Sequence, residues 1–309
     1  MSPSPTDTRS PQAPAAVPPP LGSGYDVAGR RLALHRSGSG APAVVFIPGA
    51  GMVGLDLLNV HELAAAHTTS IVYDRAGTGW SDAIDLPRSA AAVTDELRDL
   101  LRAANVPSPY ILVGHSLGGA YARHYAQRFP SEVAALLMMD PAHEDLNAHM
   151  PRQVREAAEQ MKGQTLDELP AVVVDMYRDL LPRKFAQWPE PIREAVVAYH
   201  LAQWRTGIVE ASNADDVVYP ELRSARPTPD VPTIVLGAMG IDASATLFTP
   251  EDIQREVNEG KRTINMRLAA SVPRGEYREL ADASHAWMHI ERPDAVLQAI
   301  TDLLGRVGR

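Results

Sequence analysis

The run Gly114-His115-Ser116-Leu117-Gly118 has the residue types and spacing for covalent chemistry. It matches G-x-S-x-G, follows the apolar run Tyr110–Val113 and precedes the helix-like segment Tyr121–Phe129. A serine on such a sharp strand-to-helix turn exposes its hydroxyl, and glycines flank it because larger side chains would collide. The next amide lies at a helix N-terminus, where it can donate to an oxyanion. An ordinary capping serine would also fit the pentapeptide, but the context favours Ser116 as a nucleophile and the amide of Leu117 as an oxyanion donor.

Apolar runs separated by helix-like segments surround this turn. They cover Ala43–Ile47, Ser70–Tyr73, Tyr110–Val113, Val133–Met139, Val231–Leu236 and Glu276–Leu280. Two shorter runs, Tyr25–Val27 and Arg31–His35, flank Ala28-Gly29-Arg30 and predict a hairpin. Strands that are apolar on both faces and alternate with helices predict a doubly wound, mostly parallel α/β sheet.

Changes in composition divide the chain into segments. Residues 1–22 are rich in proline and small residues, which predicts a disordered tail. Residues 23–144 and 223–309 carry the strand pattern and form the two parts of the α/β core, the second ending in an amphipathic helix at Asp294–Leu304. Residues 145–222 read as helices broken by prolines, which predicts a helical cap inserted into the core.

Composition excludes several classes of function. The 309 residues are 45% hydrophobic and 22% charged with a net charge of −9, typical of a globular protein. The absence of a basic cluster argues against nucleic-acid binding. The absence of cysteine excludes disulfides, thiolate metal sites and a cysteine nucleophile.

Targeting and cofactor signals are also missing from the sequence. No apolar stretch approaches the roughly 20 residues of a membrane span, and the N-terminus lacks the pattern of a signal peptide, so a cytoplasmic location is expected. No H-E-x-x-H, dinucleotide fingerprint or phosphate-binding loop occurs. We therefore predict neither a metal nor an organic cofactor, and nothing in the sequence indicates an oligomeric state.

Two further strings resemble a known superfamily. Asp74-Arg75-Ala76-Gly77-Thr78-Gly79-Trp80-Ser81 follows the fourth strand, and Met139-Asp140-Pro141-Ala142-His143 covers the end of the sixth. Together with the serine turn, they make residues 23–305 resemble the α/β-hydrolase fold superfamily, in particular its bacterial serine esterase-like branch. The resemblance implies an α/β-hydrolase sheet with an inserted helical cap. It also implies a nucleophile, an acid and a histidine in that chain order.

The resemblance places the histidine in the loop after the last strand. His285 follows the run Glu276–Leu280 and precedes Glu291-Arg292-Pro293-Asp294, a string typical of the start of the family's final helix. His289 lies in the same loop and is the alternative base. His115, inside the serine turn, is interpreted either as a residue that supports the reacting side chains from behind or as a packing residue.

Two aspartates are candidates for the acid that orients the histidine. Asp242, on the loop after Val231–Leu236, fits the family position, although Ala238-Met239-Gly240-Ile241 lengthens the usual spacing. Asp140, directly after the sixth strand, is the alternative, since some members of the fold take their acid from there. Asp242 is the first choice.

The remaining predictions concern the oxyanion site and the substrate pocket. The family's second oxyanion donor comes from the loop after the third strand, here Pro48-Gly49-Ala50-Gly51. The amide of Ala50 is the candidate, with Gly51 as the alternative. In the cap, Trp188, Tyr199 and Trp204 are candidates for substrate binding, because pockets are commonly lined by aromatic side chains; packing against the core is the other interpretation.

These residues predict a serine hydrolase that acts on a small-molecule acyl substrate. It would cleave a carboxylic ester, thioester or lactone through an acyl-serine intermediate without a cofactor. An acyltransferase or cyclising thioesterase with the same residues is one alternative. A non-catalytic ligand-binding member of the fold is another.

Overall fold

The computed structural model describes residues 17–161 and 168–308, so most of the predicted N-terminal tail lies outside the described residues. An eight-stranded sheet forms the centre of this part of the chain, in the order β1-β2-β4-β3-β5-β6-β7-β8. Its strands are β1 Ser23–Val27, β2 Arg30–Ser37, β3 Ala43–Ile47, β4 Ser70–Tyr73, β5 Tyr110–His115, β6 Val133–Met139, β7 Thr233–Ala238 and β8 Gly275–Leu280.

The sheet is antiparallel at one edge and parallel elsewhere. β1 and β2 form the predicted hairpin, which turns at Ala28 and Gly29, both with positive φ as a tight two-residue turn requires. β2 also pairs antiparallel with β4. The pairs from β4 through β8 are parallel. The predicted doubly wound, mostly parallel sheet is confirmed.

Helices cover both faces of this sheet. They are α1 Leu58–Ala65, α2 Ala90–Ala103, α3 Leu117–Arg128, α4 Arg152–Met161, α5 Ala171–Lys184, α6 Glu190–Ala202, α7 Trp204–Asn213, α8 Tyr219–Ser224, α9 Glu251–Ala270, α10 Met288–Glu291 and α11 Pro293–Val307. Among the described residues, every helix is too short or too polar to span a bilayer.

Alternation along the strands divides the core into two layers. On β3, Val45 and Ile47 pack on one face with side chains of α2, α3 and α9, whereas Val44 and Phe46 pack on the other with side chains of α1 and α11. Successive side chains of a strand point to opposite faces. Because both faces are covered, the whole of β3 is buried, which explains its unbroken apolar sequence.

The segment predicted as the cap joins β6 to β7 and contributes α4 to α8. A third apolar cluster lies between part of this segment and the core. It packs Phe185, Trp188 and Val196 against Val53 and Leu55, which follow β3. The cap is therefore packed on the loop that leaves the carboxyl end of β3.

Candidate active site

Ser116 lies at the sharp turn between β5 and α3. Its backbone has φ 50° and ψ −120°, a conformation that residues other than glycine rarely adopt. A Cβ at Gly118 would lie 1.9 Å from the carbonyl oxygen of Ile47, and one at Gly114 would lie 2.4 Å from that of Gly118. The glycines on either side are therefore required by close backbone contacts. The turn leaves Ser116 half-buried while its neighbours are buried.

Ser116, His285 and Asp140 form one chain of hydrogen bonds. The Nε2 atom of His285 is 3.1 Å from Oγ of Ser116, and its Nδ1 is 2.6 Å from Oδ2 of Asp140. His285 comes from the loop after β8, and Asp140 is the residue directly after β6. Because Nδ1 donates to the carboxylate, Nε2 is left to accept the serine proton. This arrangement can activate the hydroxyl as a nucleophile.

Asp140 is fully buried but has several polar partners. Its Oδ2 also accepts from Nζ of Lys261 at 2.6 Å, and its Oδ1 accepts from Nδ2 of Asn265 at 3.0 Å and the amide of Ala238 at 3.3 Å. Burial raises the pKa of Asp140, but Lys261 and His285 outweigh burial and hold the pKa well below its usual range. The carboxylate is therefore charged at neutral pH, as a partner of His285 must be.

Asp242, the first choice from the sequence, is not the partner of His285. Its Oδ1 accepts hydrogen bonds from the amide and hydroxyl of Ser244, and its own amide donates to Oε1 of Gln254. The carboxylate thus stabilises a local turn beyond β7. The alternative, Asp140, takes the position instead, directly after β6 and with a positive φ of 43°.

His289, the alternative base, is buried, and burial lowers its pKa to about 3. Neither of its ring nitrogens has a hydrogen-bond partner among the described residues. It packs against the ring of His115. His115 is also buried, which lowers its pKa to about 4, and its Nε2 donates to the carbonyl oxygen of His285 at 2.8 Å. His115 therefore holds the backbone of His285, which is the supporting role that was one of its two interpretations.

Two backbone amides are available as oxyanion donors. The amides of Leu117 and Ala50 have no acceptor within the described part of the chain. The amide of Gly51, the alternative donor, instead donates to Oε2 of Glu210 at 2.7 Å. That hydrogen bond removes Gly51 from consideration. Leu117 and Ala50 remain the candidates.

Arg75 holds the loop after β3 in place. Its guanidinium donates to the carbonyl oxygens of Pro48 and Gly49 at 2.5 and 2.7 Å. It also pairs with Glu210 on α7, with nitrogen–oxygen distances of 3.1 and 2.9 Å. Arg75 and Glu210 are both buried. The cap helix α7 is therefore connected to the loop after β3 by a buried ion pair.

The three aromatic candidates in the cap have different environments. Trp188 is only 4% exposed, and its Nε1 donates to the carbonyl oxygen of Leu55, so it packs the cap on the core and offers no surface to a substrate. Tyr199 packs on the same cluster and against Trp80. Trp204 is partly exposed at the start of α7. A substrate contact at Tyr199 or Trp204 stays a prediction.

The sequence interpretation missed three residues that support this site. Lys261 and Asn265 contact Asp140 from α9, and Glu210 contacts the oxyanion loop from α7. Lys261 and Asn265 are four residues apart, so they lie on one face of α9. For Lys261 and Asn265, the only signal in the sequence was a pair of polar residues on the side of an amphipathic helix that faces the sheet.

Comparison with known proteins identifies the family. The model of a family described as the alpha/beta hydrolase family matches residues 44–299. The chain belongs to the alpha/beta hydrolase family. Solved structures share its fold: an esterase from Thermogutta terrifontis covers 92% of this chain and 98% of its own, with 21% identity and a TM-score of 0.61. A putative lipase from Acinetobacter baumannii covers 93% and 91%, with 18% identity and a TM-score of 0.68.

Similar sequences match over shorter stretches. An uncharacterised Bacillus subtilis protein is 31% identical over 121 residues, which are 38% of this chain and 37% of that protein. A bovine (lyso)-N-acylphosphatidylethanolamine lipase is 35% identical over 109 residues, 34% of this chain and 31% of the lipase. The matched region thus spans about a third of the length of each relative.

Proposed function

We propose that this protein hydrolyses a carboxylic ester, thioester or lactone of a small molecule through an acyl-serine intermediate on Ser116. The observation that carries the proposal is the hydrogen-bond chain from Ser116 Oγ through His285 to Asp140, with distances of 3.1 and 2.6 Å. A buried carboxylate on one imidazole nitrogen and a serine hydroxyl on the other is the arrangement that activates serine in acyl transfer.

In the acylation step, Ser116 Oγ attacks the carbonyl carbon while its proton passes to Nε2 of His285. The carbonyl π electrons move to the oxygen, which becomes an oxyanion and accepts hydrogen bonds from the amides of Leu117 and Ala50. Asp140 stabilises the imidazolium. His285 then gives the proton to the leaving alcohol or thiol as the bond to the carbonyl carbon breaks, which leaves the acyl group on Oγ.

Deacylation repeats these roles with water. His285 takes a proton from a water molecule, whose oxygen attacks the acyl carbon, and the same two amides stabilise the second oxyanion. The proton then returns to Ser116 Oγ as the ester bond breaks and the carboxylic acid leaves. The reaction needs no metal or organic cofactor in this scheme.

The names of similar proteins favour hydrolysis over transfer to another acceptor. Among the fold neighbours are the Thermogutta terrifontis esterase and an enol-lactonase from Burkholderia xenovorans, and one relative is a lipase. All three names describe cleavage of an ester bond. We therefore place water as the acceptor and a small acyl compound as the substrate.

The test compares wild type, Ser116→Ala and Ser131→Ala on p-nitrophenyl esters of increasing acyl length. Ser131 is an exposed serine of the turn after α3 and serves as the matched control. We expect kcat/KM to fall at least about 10⁴-fold in Ser116→Ala, with an unchanged circular dichroism spectrum, and to stay at the wild-type value in Ser131→Ala. An active Ser116→Ala, or a wild type that cleaves neither these esters nor a panel of acyl thioesters and lactones, would overturn the proposal.

A further inference from the structure

Two histidines and a glutamate lie close together between α1 and β2, the second strand from one edge of the sheet. His35 lies on β2, and His61 and Glu62 lie on α1. Each offers a ligand atom, and the three atoms lie within 4.8 Å of one another. β2 runs antiparallel to β4, and His35 pairs with Val72, the third residue of β4. Ser116, in contrast, follows β5, and β4 and β3 lie between β2 and β5 in the sheet.

The distances between these ligand atoms suit a small divalent cation. Oε1 of Glu62 is 3.7 Å from Nε2 of His35 and 3.7 Å from Nε2 of His61. Ligands about 2.0–2.1 Å from a tetrahedral zinc ion are about 3.4 Å from one another. The two distances from Glu62 are therefore too long for strong direct hydrogen bonds, and each exceeds the separation of zinc ligands by only a few tenths of an ångström.

His61 supplies the second observation that points to a ligand. Its side chain is fully buried, and its Nε2 has no hydrogen-bond partner among the described residues. Its Nδ1 is 2.8 Å from the hydroxyl of Ser70. Metal-binding histidines commonly hold their second nitrogen in a hydrogen bond, while the first binds the ion.

We propose that His35, His61 and Glu62 bind a zinc ion. The two Nε2 atoms and Oε1 provide three ligands, and Ser70 fixes the orientation of His61. The hydroxyl of Ser37 forms hydrogen bonds with Nε2 of His35 at 3.2 Å and with Oε1 of Glu62 at 3.3 Å, and it must turn away from both atoms when they bind the ion. A water molecule would then supply the fourth ligand. Imidazole and carboxylate ligands suit zinc among the available divalent ions.

The bound ion would join α1 to the antiparallel edge of the sheet. His35 belongs to β2, whereas His61 and Glu62 belong to α1, so the ion adds a link that the hydrophobic contacts alone do not provide. A ligand that binds only the folded state raises stability with its concentration. The proposed role is structural, and it is independent of the proposed hydrolase activity.

The experiment uses the full chain without an affinity tag, freed of metal with a chelator and titrated with Co²⁺ and then with competing Zn²⁺. The chain has no cysteine, so thiolates do not contribute. Two variants remove ligands, Glu62→Gln and His35→Asn. Glu62 has a side chain that is 54% exposed, which makes misfolding of Glu62→Gln a minor concern. His67→Ala removes an exposed histidine two residues after α1 and is the matched control.

We expect one Co²⁺ per chain with the visible absorption of tetrahedral cobalt, displacement by Zn²⁺, and a rise in Tm with Zn²⁺. The affinity for Co²⁺ should fall by at least about 10–100-fold in Glu62→Gln and His35→Asn. Removal of a side chain that merely hydrogen-bonds to a metal ligand typically lowers metal affinity by that factor, and these variants remove a ligand itself. His67→Ala should bind like wild type. Absence of saturable binding, or equal binding by the ligand variants, would overturn the proposal.

Discussion

Nζ of Lys261 and Nδ1 of His285 share one oxygen, Oδ2 of Asp140, each at 2.6 Å. A buried carboxylate beside a histidine needs compensation, because desolvation disfavours its charged form. Lys261 supplies a full positive charge from α9, and its side chain is only 13% exposed. The acid of this site thus depends on a residue that is distant in sequence from both Ser116 and His285.

Replacing Lys261 should destabilise the protein in a pH-dependent way. Lys261→Met is expected to lower the free energy of unfolding by about 1.5–3 kcal/mol at pH 7, the typical contribution of a hydrogen bond to a charged group. The pKa of Asp140 is lowered in the folded state. The ionised carboxylate of Asp140 therefore contributes fully to the free energy of unfolding above the ordinary pKa of about 3.9. This contribution is lost as the pH falls through the lowered pKa.

Urea unfolding of wild type and Lys261→Met at pH 7 and pH 3 measures this difference. It should be larger at pH 7, and Lys261→Arg should retain part of the wild-type stability because it keeps the positive charge. If wild type and Lys261→Met differed in unfolding free energy by the same amount at both pH values, Lys261 would not act by stabilising the charged form of Asp140.

The choice between the two aspartates is testable by parallel substitutions. Asp140→Asn should lower kcat on p-nitrophenyl esters by about 10⁴-fold, because an asparagine cannot hold the imidazole in the required tautomer. Asp242→Asn should change kcat by no more than a few-fold, since among the described residues that carboxylate accepts hydrogen bonds only from Ser244. Steady-state kinetics decide between them. The reverse order of effects would restore Asp242 as the acid.

A methyl group at Gly49 should disturb the oxyanion loop. The added Cβ would lie 3.0 Å from Nδ1 of His115 and 3.2 Å from Cβ of Ser116, so the loop must shift. We expect Gly49→Ala to lower kcat by up to about 10²–10³-fold, as for loss of one oxyanion donor, with a smaller change in KM. Gly305→Ala is the control, because a Cβ there meets no atom within 4 Å. Equal kcat values in both variants would argue against this role of the loop.

The contact between His200 and Asp56 should make attachment of the cap pH-dependent. Nε2 of His200 on α6 is 2.8 Å from Oδ1 of Asp56. Burial lowers the pKa of His200, but Asp56 outweighs burial and raises the pKa above its ordinary value. The charged pair of His200 and Asp56 therefore contributes fully to the free energy of unfolding below a pH of about 6.5. This contribution is lost as the pH rises through the raised pKa of His200.

His200→Gln should accordingly cost about 1.5–3 kcal/mol of unfolding free energy at pH 6 and less at pH 9. Urea unfolding at both pH values measures this. The exposed His67 provides the control, since His67→Gln should change stability by less than about 0.5 kcal/mol. A cost of His200→Gln that grows with pH would contradict the assignment.

The fold was predictable because its signals are local. β3, β4 and β6 have the bounds of the apolar runs Ala43–Ile47, Ser70–Tyr73 and Val133–Met139. Burial on both faces leaves no polar residue to interrupt such runs. The serine turn was equally clear, because its glycines are imposed by backbone contacts within a few residues of Ser116 and with β3.

The acid and the second oxyanion donor depended on long-range contacts. Asp140 and Asp242 follow the neighbouring strands β6 and β7, and sequence alone does not show which carboxylate faces His285. Likewise, the amide of Gly51 is unavailable as an oxyanion donor because it donates a hydrogen bond to Glu210, which is 159 residues away in the sequence. Contacts of this kind are fixed by tertiary packing, which local patterns do not encode.

Covalent labelling of Ser116 tests the central claim most directly. Wild type is incubated with a fluorophosphonate, and the adduct is counted by intact mass and located by peptide mapping, with Ser116→Ala beside it. We predict one adduct per chain, on Ser116, slower labelling in Asp140→Asn, and no adduct in Ser116→Ala. Absence of labelling in wild type, or an adduct on another residue that persists in Ser116→Ala, would contradict the account.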